Sequence, residues 1–136
     1  MAARWEEICR RHGLRYLLLF GSRVSGRPDA LSDWDFAAKW GRRPSAVEVL
    51  ELLADLEEAV GSDRVDLVVL DEAGPPPALL AEALWGGRVL CVVDRAELLW
   101  DRVRAAALYA EYCLLFRPLA VRGVRRLAER GARAEG

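Results

Sequence analysis

Leu14 to Phe20 is a nearly continuous apolar run that stops abruptly at Gly21-Ser22. A run of that length, closed by a glycine, fits a β-strand buried on both faces. The chain then carries charge where it re-enters a strand pattern. Over Ser32 to Trp40, Trp34, Phe36 and Ala38 fall on one face, and Asp33, Asp35 and Ala37 on the other. A third strand is expected over Val65 to Leu70, apolar on both faces apart from Asp66, and a fourth over Arg88 to Val93.

Helical signals alternate with these strands. Residues 2–12 read as a short helix ended by Gly13. Residues 23–31 are loop-like, and Gly41 to Pro44 is a turn. Ser45 with Glu48 three residues on forms a capping box, opening a helix that runs to Val60 and stops at Gly61. The prolines after Gly74 open a loop, followed by a short helix to Leu84 that Gly86-Gly87 stops. A long helix is expected from an Asp94 N-cap, boxed by Glu97, to about Phe116. Pro118 should kink or end it, and a last helix covers roughly Ala120 to Arg130. This order predicts an α/β or α+β domain with a small central sheet.

Composition narrows the class. The 136 residues are 53% hydrophobic and 30% charged, which describes one globular domain over 1–136. A chain of this size buries ~68% of its unfolded surface and needs no staple. The formal net charge of −1 argues against a strongly basic nucleic-acid binder, so no direct nucleic-acid contact is expected. The charge is uneven: residues 117–136 hold six Arg against two Glu, a basic tail on an acidic body. No apolar run approaches the ~20 residues of a spanning helix, and the first residues lack a signal-peptide pattern. A cytoplasmic protein without membrane contact is expected. In that compartment Cys9, Cys91 and Cys113 read as small buried apolar residues. His12 is the sole histidine, which removes zinc cages and His-based nucleophilic schemes.

The chemistry concentrates in three places. Glycine at position 21 lets backbone approach a ligand closely, and the amides and Ser22 hydroxyl there can donate to phosphate oxygens. Arg23 adds charge beside them. Asp33 and Asp35 share a strand face with Cα atoms ~6.6 Å apart, a repulsive arrangement that a divalent cation resolves. Magnesium favours one or two carboxylates plus phosphate oxygens. Asp66, in an apolar strand, is a lone carboxylate that calls for a metal or a catalytic role.

Gly21-Ser22, ten intervening residues, then Asp33-x-Asp35 resembles the signature of the nucleotidyltransferase superfamily with the DNA polymerase beta-like fold. Leu19 to Gly26 and Ser32 to Phe36, extended through Val65-Asp66-Leu67, look like the small stand-alone members, the minimal nucleotidyltransferases. The resemblance implies a palm-like fold: a small mixed four-stranded sheet packed by helices, with a long C-terminal helix. It implies that Gly21, Ser22 and Arg23 hold a nucleoside triphosphate, that Asp33 and Asp35 bind one or two magnesium ions, and that Asp66 completes the metal site or acts as base. The implied reaction moves AMP from ATP to a hydroxyl.

Minimal members typically act with a helical HEPN partner, an RNase toxin, and in some systems modify its tyrosine by AMPylation. The resemblance therefore implies the antitoxin of a type VII-like toxin–antitoxin pair. Residues 1–93 would form the sheet core and 94–136 the partner-binding helices. The long helix supports this, since Leu99, Val103, Ala106, Ala110 and Cys113 form one apolar stripe and Tyr109, Tyr112 and Phe116 a second. One stripe is expected to cover the sheet, and the other to meet another chain. Five tryptophans supply both core and interface candidates. Two alternatives stand beside the enzyme: a steric, non-catalytic antitoxin, and a nucleotidyltransferase acting on a small molecule of aminoglycoside type.

Overall fold

The structure, a computed structural model, describes residues 2–25 and 32–115. Its elements are α1 (Ala2–His12), β1 (Tyr16–Phe20), α2 (Ser22–Ser25), β2 (Trp34–Lys39), α3 (Ala46–Val60), β3 (Val65–Val69), α4 (Pro77–Gly86), β4 (Arg88–Val92) and α5 (Arg95–Leu115). The sheet order is β3-β2-β1-β4. β1 runs antiparallel to β2 and β4, and β2 runs parallel to β3, so the sheet is mixed.

Every residue of β1 is buried, as an apolar run in the middle of a layered sheet requires. Alternation along the strands divides the core. On one face Leu17, Leu19, Phe36 and Ala38 meet Trp5 and Ile8 of α1 and Leu52 and Leu56 of α3. On the other, Tyr16, Leu18, Phe20 and Ala37 meet Ala83 and Leu84 of α4 and Leu98 and Ala105 of α5. Each fully buried leucine contributes about 1.5–3 kcal/mol by leaving water.

The expected caps are present. Ser45 Oγ accepts from the Glu48 amide at 3.2 Å, and Glu48 Oε1 accepts from the Ser45 amide at 3.0 Å. The Glu97 amide donates to Asp94 Oδ1 at 3.0 Å, but the Glu97 carboxylate turns to Arg15 at 3.4 Å, so this end is capped by Asp94 alone. α1 ends at His12, whose Nε2 lies 2.6 Å from Asp55 Oδ2 on α3.

Four expectations are corrected. Ser22–Ser25 is a helical turn rather than loop, and β2 starts at Trp34, leaving Asp33 just before it. Cys9 and Cys91 are buried but joined as a disulfide between α1 and β4, a pairing of positions 82 residues apart that only the tertiary fold brings together. Cys113 alone remains a free thiol. The first stripe of α5 does not cover the sheet: Leu99 is 62% and Val103 50% exposed, and the buried residues are Leu98 and Ala105, which belong to neither expected stripe.

The physical reason is that polar residues on the inner face of α5 are satisfied there. Asp101 accepts from the buried Tyr16 hydroxyl at 2.6 Å and pairs with Lys39 Nζ at 3.4 Å. Arg102 Nε donates to the Leu84 carbonyl at 2.8 Å, and Trp85 Nε1 donates to the Arg102 carbonyl at 2.9 Å. Tyr109 and Tyr112 stack with ring centroids 6.4 Å apart, on the same helix. Among the tryptophans, Trp5 and Trp40 are core, whereas Trp85 and Trp100 are exposed. Phe116, Pro118 and the helix expected over residues 120–130 lie outside the described residues. Among the described residues, no helix is long and apolar enough to cross a membrane.

Candidate active site

Gly21 follows β1 directly and takes φ 78°, a left-handed conformation that favours glycine. A Cβ placed there would collide with Asp35 Oδ2, so glycine is what allows the turn and the carboxylate to meet. Pairing explains the meeting: Phe20 lies opposite Asp35 across the antiparallel β1–β2 ladder. On its other side Asp35 is in parallel register with Asp66 of β3. Neighbouring strands are ~4.8 Å apart, so the two carboxylates leave adjacent backbones on one face. Asp33, two residues before Asp35, is exposed at the same end of the sheet.

The cluster has an electrostatic signature. The Asp35 carboxyl is pushed above its ordinary value, first by burial and then by the charges of Asp66, Asp33 and Glu82. Glu82 was not singled out from the sequence. It is the only charged residue of α4, and a lone charge in an otherwise apolar helix was the available signal. Asp66, expected in a buried strand, is exposed. β3 is an edge strand, and Asp66 lies near its start, so the burial cost expected for it does not arise.

The remaining predicted residues divide. Ser22 is exposed at the start of α2, beside Gly21. Arg23 is engaged: its Nη2 donates to the Ser32 carbonyl at 2.9 Å, and its guanidinium lies 4.3 Å from the Trp34 ring centroid. Arg23 thereby ties α2 to the approach of β2, and its Nε is buried without a partner among the described residues. Trp34 packs toward Phe36 on the face away from Asp35, with ring centroids 6.4 Å apart.

Oxygen donors of this kind suit a hard divalent cation. The mutual repulsion recorded at Asp35 is what such a cation would relieve. Among the described residues no three ligating side chains form a ready-made cage. An ion there would be held by one or two carboxylates and completed by substrate oxygens and water.

A mixed sheet of this order, with a glycine turn against an Asp-x-Asp strand, defines the class, and the comparisons agree. The family model described as polymerase beta, nucleotidyltransferase matches residues 5–96. The chain belongs to this nucleotidyltransferase family. A search among curated proteins found no match. Solved structures show the same fold. A chain of a mutant toxin–antitoxin complex, MntA-HpeT, aligns with TM-score 0.75 at 21% identity, covering 91% of this chain and 98% of that one. A toxin–antitoxin structure with AMP-PNP aligns with TM-score 0.73 at 22% identity, covering 90% and 98%. A complex of a tri-AMPylated HEPN toxin with an MNT antitoxin, from Shewanella oneidensis, aligns with TM-score 0.65 at 22% identity, covering 91% and 99%.

Proposed function

We propose that this chain is a single-domain, magnesium-dependent nucleotidyltransferase that moves AMP from ATP to a hydroxyl, most specifically a tyrosine of a HEPN-type RNase toxin, and so serves as that toxin's antitoxin. The observation that carries the reading is the carboxylate cluster of Asp33, Asp35 and Asp66 against the Gly21 turn. The structural neighbours that hold AMP-PNP or a tri-AMPylated toxin support the choice of nucleotide and acceptor.

Asp33 and Asp35 would hold magnesium, which when bound supplies positive charge to the triphosphate oxygens. The chain's own groups do the rest. The turn at Gly21 and the Ser22 hydroxyl face the phosphates as donors, worth most where water is excluded. Arg23 orients that turn through Ser32 and Trp34. Asp66, exposed beside Asp35, is open to an incoming acceptor and placed to take its hydroxyl proton. The α-phosphate is attacked by that oxygen, the bond to the bridging oxygen breaks, and pyrophosphate leaves. Catalysis is positioning and charge neutralisation, which needs no histidine or cysteine.

The outer face of α5 would receive the helical partner. Its exposure also favours a second reading, a steric antitoxin that needs no transfer. Purified protein with its partner, magnesium and α-labelled ATP separates the two. Label should remain on the denatured partner with wild type and fall at least about 100-fold with Asp33→Asn. A tight, neutralising complex without label would leave the steric reading.

A further inference from the structure

The end of the sheet opposite the carboxylates carries different chemistry. A cavity of about 730 Å³ opens there between the α1–β1 turn, the β2–α3 turn and the residue after β4. Arg10, Arg15 and Arg42 line it, together with Leu14, Trp40 and Val93, and no carboxylate is among its lining residues. Trp40 is 3% exposed, and its indole Nε1–H is buried with no hydrogen-bond partner among the described residues. A buried donor without a partner is costly, so an acceptor reaching it is favoured.

The guanidiniums are available. Arg10 is exposed and makes no ion pair among the described residues. Arg15 meets Glu97 at 3.4 Å and Arg42 meets Glu48, but their side chains are 47% and 60% exposed. The Arg15–Glu97 pair is single and exposed, so Arg15 can turn to a stronger anion with little loss, whereas Arg42 holds Glu48 through both terminal guanidinium nitrogens and keeps only its remaining N–H groups for a ligand. Guanidinium is the group suited to phosphate, through paired N–H donors. The volume is that of a small-molecule cleft rather than a polymer track.

The geometry points to a second ligand site here, taking a small phosphate ester. The phosphate lies between Arg10 and Arg15, with Arg42 at its border, and its uncharged body rests on Val93, which is 66% exposed. The site is separate from the carboxylate cluster by the five-residue length of β1, roughly 15 Å at the usual rise per residue. The two ends also differ in composition: one gathers carboxylates, while at the other three arginines line the cavity and the nearby carboxylates are engaged, Glu97 with Arg15, Glu48 with Arg42 and Asp71 with the Trp40 and Gly41 amides.

Phenyl phosphate, titrated at constant ionic strength without magnesium, tests this, because the carboxylate end repels it under those conditions. The readout is the five tryptophan indole N–H resonances of isotope-labelled full-length protein, with Trp40 assigned through Trp40→Phe. The Trp40 resonance should shift and saturate, and Arg10→Ala should weaken binding about tenfold, the equivalent of one charge-assisted contact. Arg10 is exposed, so that variant keeps the fold; Arg42→Ala provides a second one. A Trp40 signal that stays still at millimolar phenyl phosphate overturns the site. So does an equal response to phenol, or an unchanged midpoint in both arginine variants.

Discussion

The surroundings of Asp35 disfavour its charged form. Burial and then the charges of Asp66, Asp33 and Glu82 push its carboxyl upward. A folded-state pKa above the unfolded one contributes stability that is fully present below the unfolded value and lost as pH rises through the folded one. In its charged form the side chain therefore works against folding, as side chains held for function often do. Asp35→Asn keeps the shape and removes the charge. With magnesium chelated, its melting temperature should exceed that of wild type by a few degrees. Added magnesium should then raise the wild type and leave the variant where it was. Melting curves with chelator and with magnesium test both statements, and a variant that melts lower in chelator would show that the carboxylate is part of a stabilising network instead. The Gly21 turn shares this logic, because its left-handed φ of 78° and its proximity to Asp35 Oδ2 together leave no room for a side chain.

Between elements, α1 and α3 are clasped by one acid. Asp55 is partly desolvated, which raises its carboxyl, but the hydrogen bond and charge of His12 and those of Arg11 outweigh burial and hold it below its ordinary value. A depressed folded pKa gives stability present above the unfolded value, near 3.9, and lost as pH falls through the folded one. Asp55→Ala should lower stability at neutral pH by about 1–2 kcal/mol. Its deficit relative to wild type should shrink as the pH is lowered below 4; denaturant midpoints across that range check it. Elements like α3 were legible because their signals are local: Ser45 and Glu48 are three residues apart, and Gly21-Ser22 ends its own strand. Asp33 and Asp35 were legible for the same reason. The inner face of α5 was not. Leu98 and Leu99 are neighbours with equal hydropathy, and the face that turned inward carries Asp101 and Arg102, whose partners Tyr16, Lys39 and Leu84 come from other elements. Glu82 and the exposure of Asp66 depend on α4 packing and on β3 being an edge, which no local pattern records.

Across the whole molecule, two features lie beyond any single element. The Cys9–Cys91 disulfide ties α1 to the strand farthest along the sheet from β3. Closing 82 residues restricts the unfolded chain, so reduction should cost about 2–4 kcal/mol, read as a lower denaturant midpoint in dithiothreitol. The second feature is the outer face of α5. Leu99, Val103 and Leu114 are 62%, 50% and 78% exposed, and Trp100 beside them is 69% exposed. Ala106 and Ala110 lie between, small enough for another helix to approach closely, and α5 already buries Leu98 and Ala105 inward. Exposed apolar surface of this kind is what the proposed partner would cover. Val103→Glu adds a charge to that surface without touching the inner packing, so the melting temperature of the isolated chain should change little. Burying an unpaired carboxylate against the partner should weaken the complex at least about 100-fold. Co-purification with the HEPN-type partner and labelling of that partner then report together. If the chain is a transferase that recognises its acceptor through α5, complex and label should fall in parallel, while Asp33→Asn loses label and keeps the complex. Retention of both in Val103→Glu would place the partner on another surface and leave α5 to a different contact.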